Sequence, residues 1–256
     1  MNIAIVGYGR MGRMVMASAK GMGIGVSCVI DLFSDDKEVT GRSLSDIPLS
    51  RVDAVIDFSA SESALENIEY YASSGIAAVI GTTGWYDRLD DIKGKLDLEK
   101  CSIIYSGNFS IGVAILLKSA SYLSRLMNRV SSYDVAISES HHRMKADSPS
   151  GTAIMLADAV LGNIERKSRA VYGAPEGRIG DDELEISSLR VGSVAGIHSL
   201  IFDSPCDTIE LKHTARSRSG FAEGAIRAAI WLQGRKGFFS MDDFINDFLG
   251  EGEDGV

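Results

Sequence analysis

Asn2-Ile-Ala-Ile-Val-Gly-Tyr-Gly-Arg-Met-Gly12 is the stretch on which the fold turns. Residues 2 to 6 form an apolar run of the kind that builds a strand buried on both faces. Gly7, Gly9 and Gly12 follow at the spacing G-x-G-x-x-G, and Met11 to Lys20 reads as a helix whose small residues permit close packing. The three glycines do different things. Gly7 makes the tight turn, Gly9 lets a pyrophosphate approach the backbone, and Gly12 lets helix and strand close together. An anion placed there meets unpaired amides at the positive end of the helix. Val26 to Asp31 completes a strand, turn, helix, strand unit. Asp31 lies 19 residues after Gly12, where a carboxylate accepts a hydrogen bond from a ribose hydroxyl. Gly7, Tyr8, Gly9, Arg10, Met11, Gly12 and Asp31 are thus the expected dinucleotide-binding residues. The cofactor is NADH or NADPH with a lean to NADH, because a carboxylate repels a 2′-phosphate unless a cation such as Arg10 or Lys37 compensates.

The rhythm continues outward. Val52 to Phe58 reads as a strand, Ser61 to Ser74 as a helix capped by Ser61, and Ala77 to Ile80 as a strand ending in Gly81-Thr82-Thr83-Gly84. Tyr86 to Leu98 reads as a helix and Ser102 to Tyr105 as a fifth strand. Strands alternating with helices imply a Rossmann-like α/β architecture, a mostly parallel sheet covered on both faces. Gly81, Thr82, Thr83 and the loop Ser106-Gly107-Asn108-Phe109 follow the C-terminal ends of parallel strands, the edge where open α/β sheets bind ligands. They are expected to line the nicotinamide and its ribose.

After Asn108 the pattern changes. Ile111 to Met127 reads as a long apolar helix, Tyr133 to Ser138 as a strand, Thr152 to Leu161 as a helix and Tyr172 to Asp182 as a polar loop. Three strands, Leu184 to Val191, Ile197 to Phe202 and Thr208 to His213, then suit a second α+β region with an antiparallel or mixed sheet. Phe221 to Gln233 reads as a helix able to pack back on the first region.

The 256 residues are enough for one large core or two modest domains. A formal charge of −9, from 26 basic and 35 acidic residues, argues against broad nucleic-acid or anionic-membrane binding, yet leaves room for a local basic pocket. Cys28, Cys101 and Cys206 lack ligand-like spacing and read as buried thiols in a reducing compartment. With no leader pattern at the N-terminus and no apolar run of membrane-spanning length, a cytoplasmic location is expected.

The chemistry concentrates in Glu139-Ser-His-His-Arg-Met-Lys-Ala-Asp-Ser-Pro-Ser-Gly-Thr152, which holds two of the four histidines. His141 and His142 are plausible proton donors near neutrality, and Lys145 brings positive charge to orient a carboxylate or donate a proton. His141 and Lys145 share a face if the piece coils, with His142 pointing elsewhere. Ser150-Gly151-Thr152 leads into a helix, so its amides and hydroxyls form a cradle for a carboxylate or phosphate. No metal is expected, since adjacent histidines diverge and no ligand spacing is completed. Hydrolysis by a Ser-His-Asp triad lacks the G-x-S-x-G elbow. The residues by themselves reach a nicotinamide-dependent oxidoreductase with a cationic substrate pocket. Another two-domain dehydrogenase, and a nucleotide-sensing regulator without turnover, are the rival readings.

The same segment resembles the signature of the 4-hydroxy-tetrahydrodipicolinate reductase (dihydrodipicolinate reductase) family. The likeness extends to Gly9-Arg-Met-Gly12, Val55-Ile-Asp-Phe-Ser59, Val79-Ile-Gly-Thr-Thr-Gly84, Asn108-Phe-Ser-Ile-Gly-Val113, Arg190-Val-Gly192, Gly196-Ile-His198, and His213 through Ala225. The resemblance implies a nucleotide domain of residues 1–108 plus 221–256 and a substrate and oligomerisation domain of residues 109–220, assembled as a homotetramer. It implies His141 as general acid and Lys145 as second catalytic donor, with His142, Gly151 and Thr152 holding the carboxylates of a small cyclic dicarboxylate. The implied reaction reduces 4-hydroxy-tetrahydrodipicolinate, with loss of water, to tetrahydrodipicolinate. The residues leave open which of His141 and Lys145 delivers the proton. Two positions depart from the family pattern: the glycine turn is shorter by one residue than in many members, and Leu32 stands where some carry an arginine that meets the extra phosphate of NADPH.

Overall fold

The structure is a computed structural model describing residues 1–173 and 177–250. In chain order the strands are β1 (Asn2–Val6), β2 (Gly25–Ile30), β3 (Ala54–Asp57), β4 (Ala77–Ile80), β5 (Ser102–Tyr105), β6 (Asp134–His141), β7 (Arg169–Tyr172), β8 (Glu183–Arg190), β9 (Ile197–Asp203), β10 (Thr208–Thr214) and β11 (Gly237–Ser240). The α-helices are α1 (Arg10–Gly21), α2 (Ala64–Ser74), α3 (Leu89–Lys95), α4 (Ile111–Met127), α5 (Gly151–Leu161), α6 (Ser219–Trp231) and α7 (Met241–Phe248). They fall into two compact units, one formed by Met1–Ile111 with the segment from Ser219 onward, the other by Gly112–Arg218.

In the first unit six parallel strands run in the order β11-β5-β4-β3-β1-β2. From β1 the chain moves outward to β2 and then crosses to β3 on the other side, so the topology reverses beside β1, where the Gly7 turn lies. The central strands carry the apolar runs because both of their faces are covered: Ile3, Ala4, Ile5, Ala54, Val55 and Ile56 are wholly buried. Two glycines there are dictated by contact. Gly7 has a φ of +83°, and a Cβ on it would lie 2.5 Å from the Phe58 carbonyl oxygen; a Cβ on Gly12 would lie 2.1 Å from the carbonyl oxygen of Gly7.

Three details differ from the sequence expectation. Ser61 does not cap a helix: residues 61–63 form a 3-10 turn, α2 begins at Ala64, and no side chain caps it. The Ser63 hydroxyl donates instead to the Ala60 carbonyl, at 3.0 Å. The expected helix from Tyr86 to Leu98 is a 3-10 turn at Tyr86–Arg88 followed by α3, which stops at Lys95 because Leu96 is extended and the next turn closes on the Asp97 carbonyl. Beyond α6 the chain adds β11 and α7, neither anticipated, although Ser240 and Asp243 form a capping box whose spacing is visible in the sequence.

The second unit holds a five-stranded mixed sheet in the order β10-β9-β6-β8-β7. The β10, β9 and β6 pairings are antiparallel, and those of β6, β8 and β7 parallel. Alternation decides which residues meet α5. Val135 and Ile137 of β6, Leu184 and Ile186 of β8, and Leu200 and Phe202 of β9 form one core with Ala153, Leu156, Ala157 and Val160 of α5. Register carries that face onward into Glu139 and His141, Ser188 and Arg190, and His198. The strand expected to end at Ser138 thus runs to His141, and His141 lies on the sheet and not in a coil after it. Lys167 is buried where β6 and β8 start, donating to Asp134 Oδ1 at 2.6 Å and to the Glu183 carbonyl at 2.7 Å.

The expected loop from Tyr172 to Asp182 starts inside β7, and its residues 174–176 lie outside the described residues. Cys28 and Cys101 are buried, but Cys206 is exposed, because the β9–β10 turn is closed by Ser204 and Asp207 and leaves the thiol outside. Among the described residues no helix is long and apolar enough to cross a membrane.

Gly224 of α6 marks a close approach within the first unit, for a Cβ there would sit 1.7 Å from the Phe109 carbonyl oxygen. Gly224→Ala is expected to lower stability by about 1 to 3 kcal/mol in urea unfolding, through forced backbone displacement. Gly94→Ala, at a helical glycine with nothing within 4 Å, is expected to be neutral or to stabilise by about 0.5 to 1 kcal/mol. Equal effects of the two changes contradict this packing.

Candidate active site

Two groups of residues carry the candidate chemistry, one in each unit. In the first, β1 delivers the chain into the Gly7 turn and α1 starts at Arg10 with no side chain capping its N-terminus. Gly9 is exposed, and a Cβ on it would meet nothing within 4 Å. An uncapped helix start beside a bare, open glycine fits the pyrophosphate of a dinucleotide. Tyr8 is buried with the Arg13 guanidinium over its ring, Met11 is half-buried and Arg10 exposed.

Asp31 follows β2 and is held by three amides: Oδ2 accepts from Tyr8 N at 2.6 Å, and Oδ1 from Phe33 N at 2.9 Å and Ser34 N at 2.7 Å. Burial pulls its carboxyl upward, but the amide donors and Arg42 outweigh that and hold it below the usual carboxylate range. Of the cations around it, Arg13 is engaged by Asp36 and Arg42 by Asp35.

The loops after β3 and β4 are pinned by Asp57, which is 1% exposed. Its Oδ2 accepts from the Tyr71 hydroxyl at 2.7 Å and Asn67 Nδ2 at 2.9 Å, and its Oδ1 from Ser59 N at 2.8 Å and Thr82 Oγ1 at 3.3 Å. Of the expected nicotinamide-side residues, the Thr82 side chain is therefore spent on the protein, Phe109 is a core residue, and Gly81 packs on the Phe58 ring. Thr83 and Gly107 are exposed and adjoin each other, and the Ser106 hydroxyl closes the next loop by donating to the Asn108 carbonyl at 2.9 Å.

In the second unit the polar end of the sheet is organised around Glu139, 1% exposed. Arg190 donates from Nη2 to Oε1 at 2.7 Å and from Nη1 to Oε2 at 3.0 Å, and Ser150 N donates to Oε1 at 3.3 Å. A further neighbour is His141 Nδ1, in close hydrogen-bond contact with Oε2. Burial alone raises the Glu139 carboxyl; Arg190, His141 and Ser188 together bring it below its ordinary value. His141 is lowered by burial, with Lys145 and Arg190 adding to that and Glu139 opposing it.

His198, on β9, stacks edge-on against His141 with ring centroids 5.1 Å apart, and its Nε2 shares a hydrogen bond with Ser150 Oγ at 3.0 Å. Ser150 also caps α5 by accepting from Ala153 N at 3.3 Å. Burial, reinforced by the His141 charge, pushes His198 down to about 4.

Lys145 belongs to a turn in which its amide donates to the His142 carbonyl at 3.0 Å, and its Nζ reaches both oxygens of Asp147 at 2.7 and 2.8 Å. The segment after β6 is thus a turn and not the coil that set His141 and Lys145 on one face. His142 is half-buried, while Gly151 is exposed with nothing within 4 Å of its missing Cβ. The second unit therefore brings together His141, the Lys145 charge and the start of α5. Sequence reasoning gave no role to Glu139, Arg190 or His198; the Glu-x-His spacing on an extended strand was the one signal that pairs Glu139 with His141.

Residues 1–109 of the chain match the family described as dihydrodipicolinate reductase, N-terminus, and residues 112–245 the one described as dihydrodipicolinate reductase, C-terminus. The chain is 37% identical over 249 residues to the 4-hydroxy-tetrahydrodipicolinate reductase of Christiangramia forsetii, covering 97% of this chain and 99% of the relative. It is 37% identical over 262 residues to the enzyme of that name from Archaeoglobus fulgidus, covering 96% and 100%. Among solved structures, a dipicolinate-bound dihydrodipicolinate reductase from Paenisporosarcina sp. TG-14 shares the fold with a TM-score of 0.77 at 22% identity, covering 94% of this chain and 97% of that one.

The depressed His198 makes a testable contribution to stability. Its folded value of about 4 lies below the ordinary value of about 6.5 in an unfolded chain, so between the two the unfolded chain binds the extra proton. Stability is therefore present in full above about pH 6.5, falls as the pH drops towards about 4, and levels off below, by up to roughly 3 kcal/mol in all. Urea unfolding at about pH 7.5 and about pH 5 is expected to show a smaller acid loss in His198→Asn than in the wild type. Identical acid losses contradict the burial of a neutral ring.

Proposed function

The chain belongs to the dihydrodipicolinate reductase family, and for the reaction this membership brings we propose the residue roles. It catalyses the NAD(P)H-dependent reduction of 4-hydroxy-tetrahydrodipicolinate to tetrahydrodipicolinate with loss of water, in the diaminopimelate route to lysine. One hydride and one proton are taken up, and one water leaves. When bound, the nicotinamide would supply a hydride to the ring once loss of water has made it conjugated, and the protein must place a proton on the enamine-like carbon that results.

In our assignment His141 delivers that proton, with Lys145 as second donor. The observation that carries this reading is the turn after β6, which holds the Lys145 charge near the His141 ring and leads straight into the open start of α5. Lys145, His142 and the amides at Gly151 and Thr152 hold the two carboxylates: Lys145 exchanges its Asp147 partner for a substrate carboxylate, the helix start favours an anion, and the exposed Gly151 leaves room for one. Clamping the ring orients its accepting carbon and its proton-accepting neighbour, converting an encounter into a directed transfer. We place the nucleotide on Gly7 to Gly12, Asp31, Gly81 to Thr83 and Ser106 to Phe109, with Thr82 and Phe109 contributing backbone alone. The face of the second sheet turned away from α5, with Ser138, Ser140, Ile201 and the 56% exposed Leu189, is the surface through which we place assembly of a homotetramer. A cytoplasmic location accords with a biosynthetic role.

Lys145→Ala is expected to lower kcat by about 100-fold or more while leaving NADH affinity, read by fluorescence, almost unchanged. Wild-type turnover in that variant overturns the assignment of Lys145. NADH is the favoured cofactor, since Asp31 already occupies the amides of Tyr8, Phe33 and Ser34 and the guanidinium groups beside it are paired with acids. The ratio of kcat/KM for NADH over NADPH is expected to exceed about 10 and to narrow in Asp31→Ser. A preference for NADPH contradicts this use of Asp31.

A further inference from the structure

Both oxygens of the Glu139 carboxylate accept hydrogen bonds, and of the partners only His141 carries a side chain that can titrate near neutrality. Arg190 grips both oxygens in a fork, at 2.7 and 3.0 Å, and also donates from Nη2 to the Asp147 carbonyl at 2.7 Å and from Nη1 to the Leu189 carbonyl at 2.9 Å, so both terminal nitrogens are held. Planar bidentate pairing of this kind sets direction as well as charge. Against Oε2 lies His141 Nδ1. An ionised carboxylate only accepts hydrogen bonds, so Nδ1 has to carry the hydrogen of the neutral ring. Nε2 is then the position through which the ring gains or gives a proton. The neighbour on that side is Gly196, where even a Cβ would come within 3.1 Å of Nε2.

Building on the reading of His141 as the acid, we propose that Glu139, clamped by Arg190, is a positioning residue that holds His141 in the Nδ1–H tautomer and so directs proton transfer through Nε2. Arg190 acts through Glu139 and touches neither substrate nor cofactor in this account. Gly196 complements the pair by leaving the Nε2 side of the ring uncrowded.

The charges around His141 come from each element packed on it. Glu139 lies two residues back on β6, Arg190 pairs with it across β8, Lys145 lies in the following turn, and His198 faces it from β9 with His213 behind on β10. Glu139 favours the imidazolium, whereas burial, Lys145 and Arg190 disfavour it. Removing the two partners therefore has opposite consequences. Glu139→Gln takes away the charge that favours protonation, so the acid form of His141 persists only to a lower pH. Arg190→Met takes away an opposing charge, so it persists to a higher pH. A merely structural role for the pair has no reason to produce shifts of opposite sign.

The test uses the full chain labelled with 15N, its His141 resonances assigned by comparison with His141→Gln, together with pH profiles of kcat. The wild-type neutral ring is expected to give the shifts of the Nδ1–H tautomer. Glu139→Gln is expected to lose about 100-fold or more in kcat with a smaller change in KM, and to move the His141 titration and the descending limb of the profile to lower pH; Arg190→Met should move both to higher pH. An Nε2–H ring in the wild type, or shifts of one sign in both variants, overturns the proposal, and the wild-type spectrum decides it even where Glu139→Gln fails to fold. Opposite NMR shifts with unmoved rate profiles overturn instead the reading of His141 as the acid, and with it the directing role.

Discussion

A carboxylate taken wholly out of water needs compensating donors, and at Glu139 that requirement organises the polar end of the second unit's sheet. Removing a charge of this size from solvent costs several kcal/mol unless partners are fixed in place. The partners come from separate parts of the chain: Arg190 from β8, the Ser150 amide from the start of α5, and His141 from the same strand. Satisfying one carboxylate thus locks the ring we assign as proton donor, the strand beside it and the helix start proposed to receive an anion. Apolar packing directly below makes this possible, since Val135 and Ile137 precede Glu139 and His141 on one face of β6 and the helix covering them leads back to Ser150.

The first unit solves its own loop problem in a parallel way. Asp57 gathers Tyr71, Asn67, Ser59 and Thr82, so the loops after β3 and β4 hang from a single buried side chain. Asp31 does the same for the turn after β1 and the loop after β2. In both units the residues expected to meet ligand are held by acidic side chains at strand ends, and the groups we propose to face ligand are largely backbone amides. Preorganised amides cost little reordering when an anion arrives.

How much of this was legible in the sequence follows from how local each signal is. The β1 turn and α1 could be read directly, because Gly12 answers to Gly7 five residues back, the glycine spacing itself is local, and the central strands are uninterrupted apolar runs. Glu139-Ser-His141 lies beyond the strand read as ending at Ser138, yet it is strand, since its pairing comes from β8 and β9 and its charge is satisfied by Arg190, 51 residues beyond Glu139. His198 meets Ser150 across 48 residues and was equally hidden. Ser61 failed as a cap for a different reason: Ser59, Ser61 and Ser63 stand together there, and the 3-10 turn at 61–63 moved the helix start to Ala64, past all three. The chemistry-bearing segment was visible as a composition of residue types; the support that gives each its role was not.

The central claim is that the ring acid and the anion-holding helix start belong to one site built on β6 and α5. A crystal structure of the full chain with dipicolinate bound tests it most directly. The account predicts one carboxylate within hydrogen-bond distance of the Gly151 and Thr152 amides, and the pyridine edge facing His141 Nε2. A dipicolinate anchored away from the α5 start, with His141 Nε2 still turned to Gly196 and no ligand atom near it, would contradict the account.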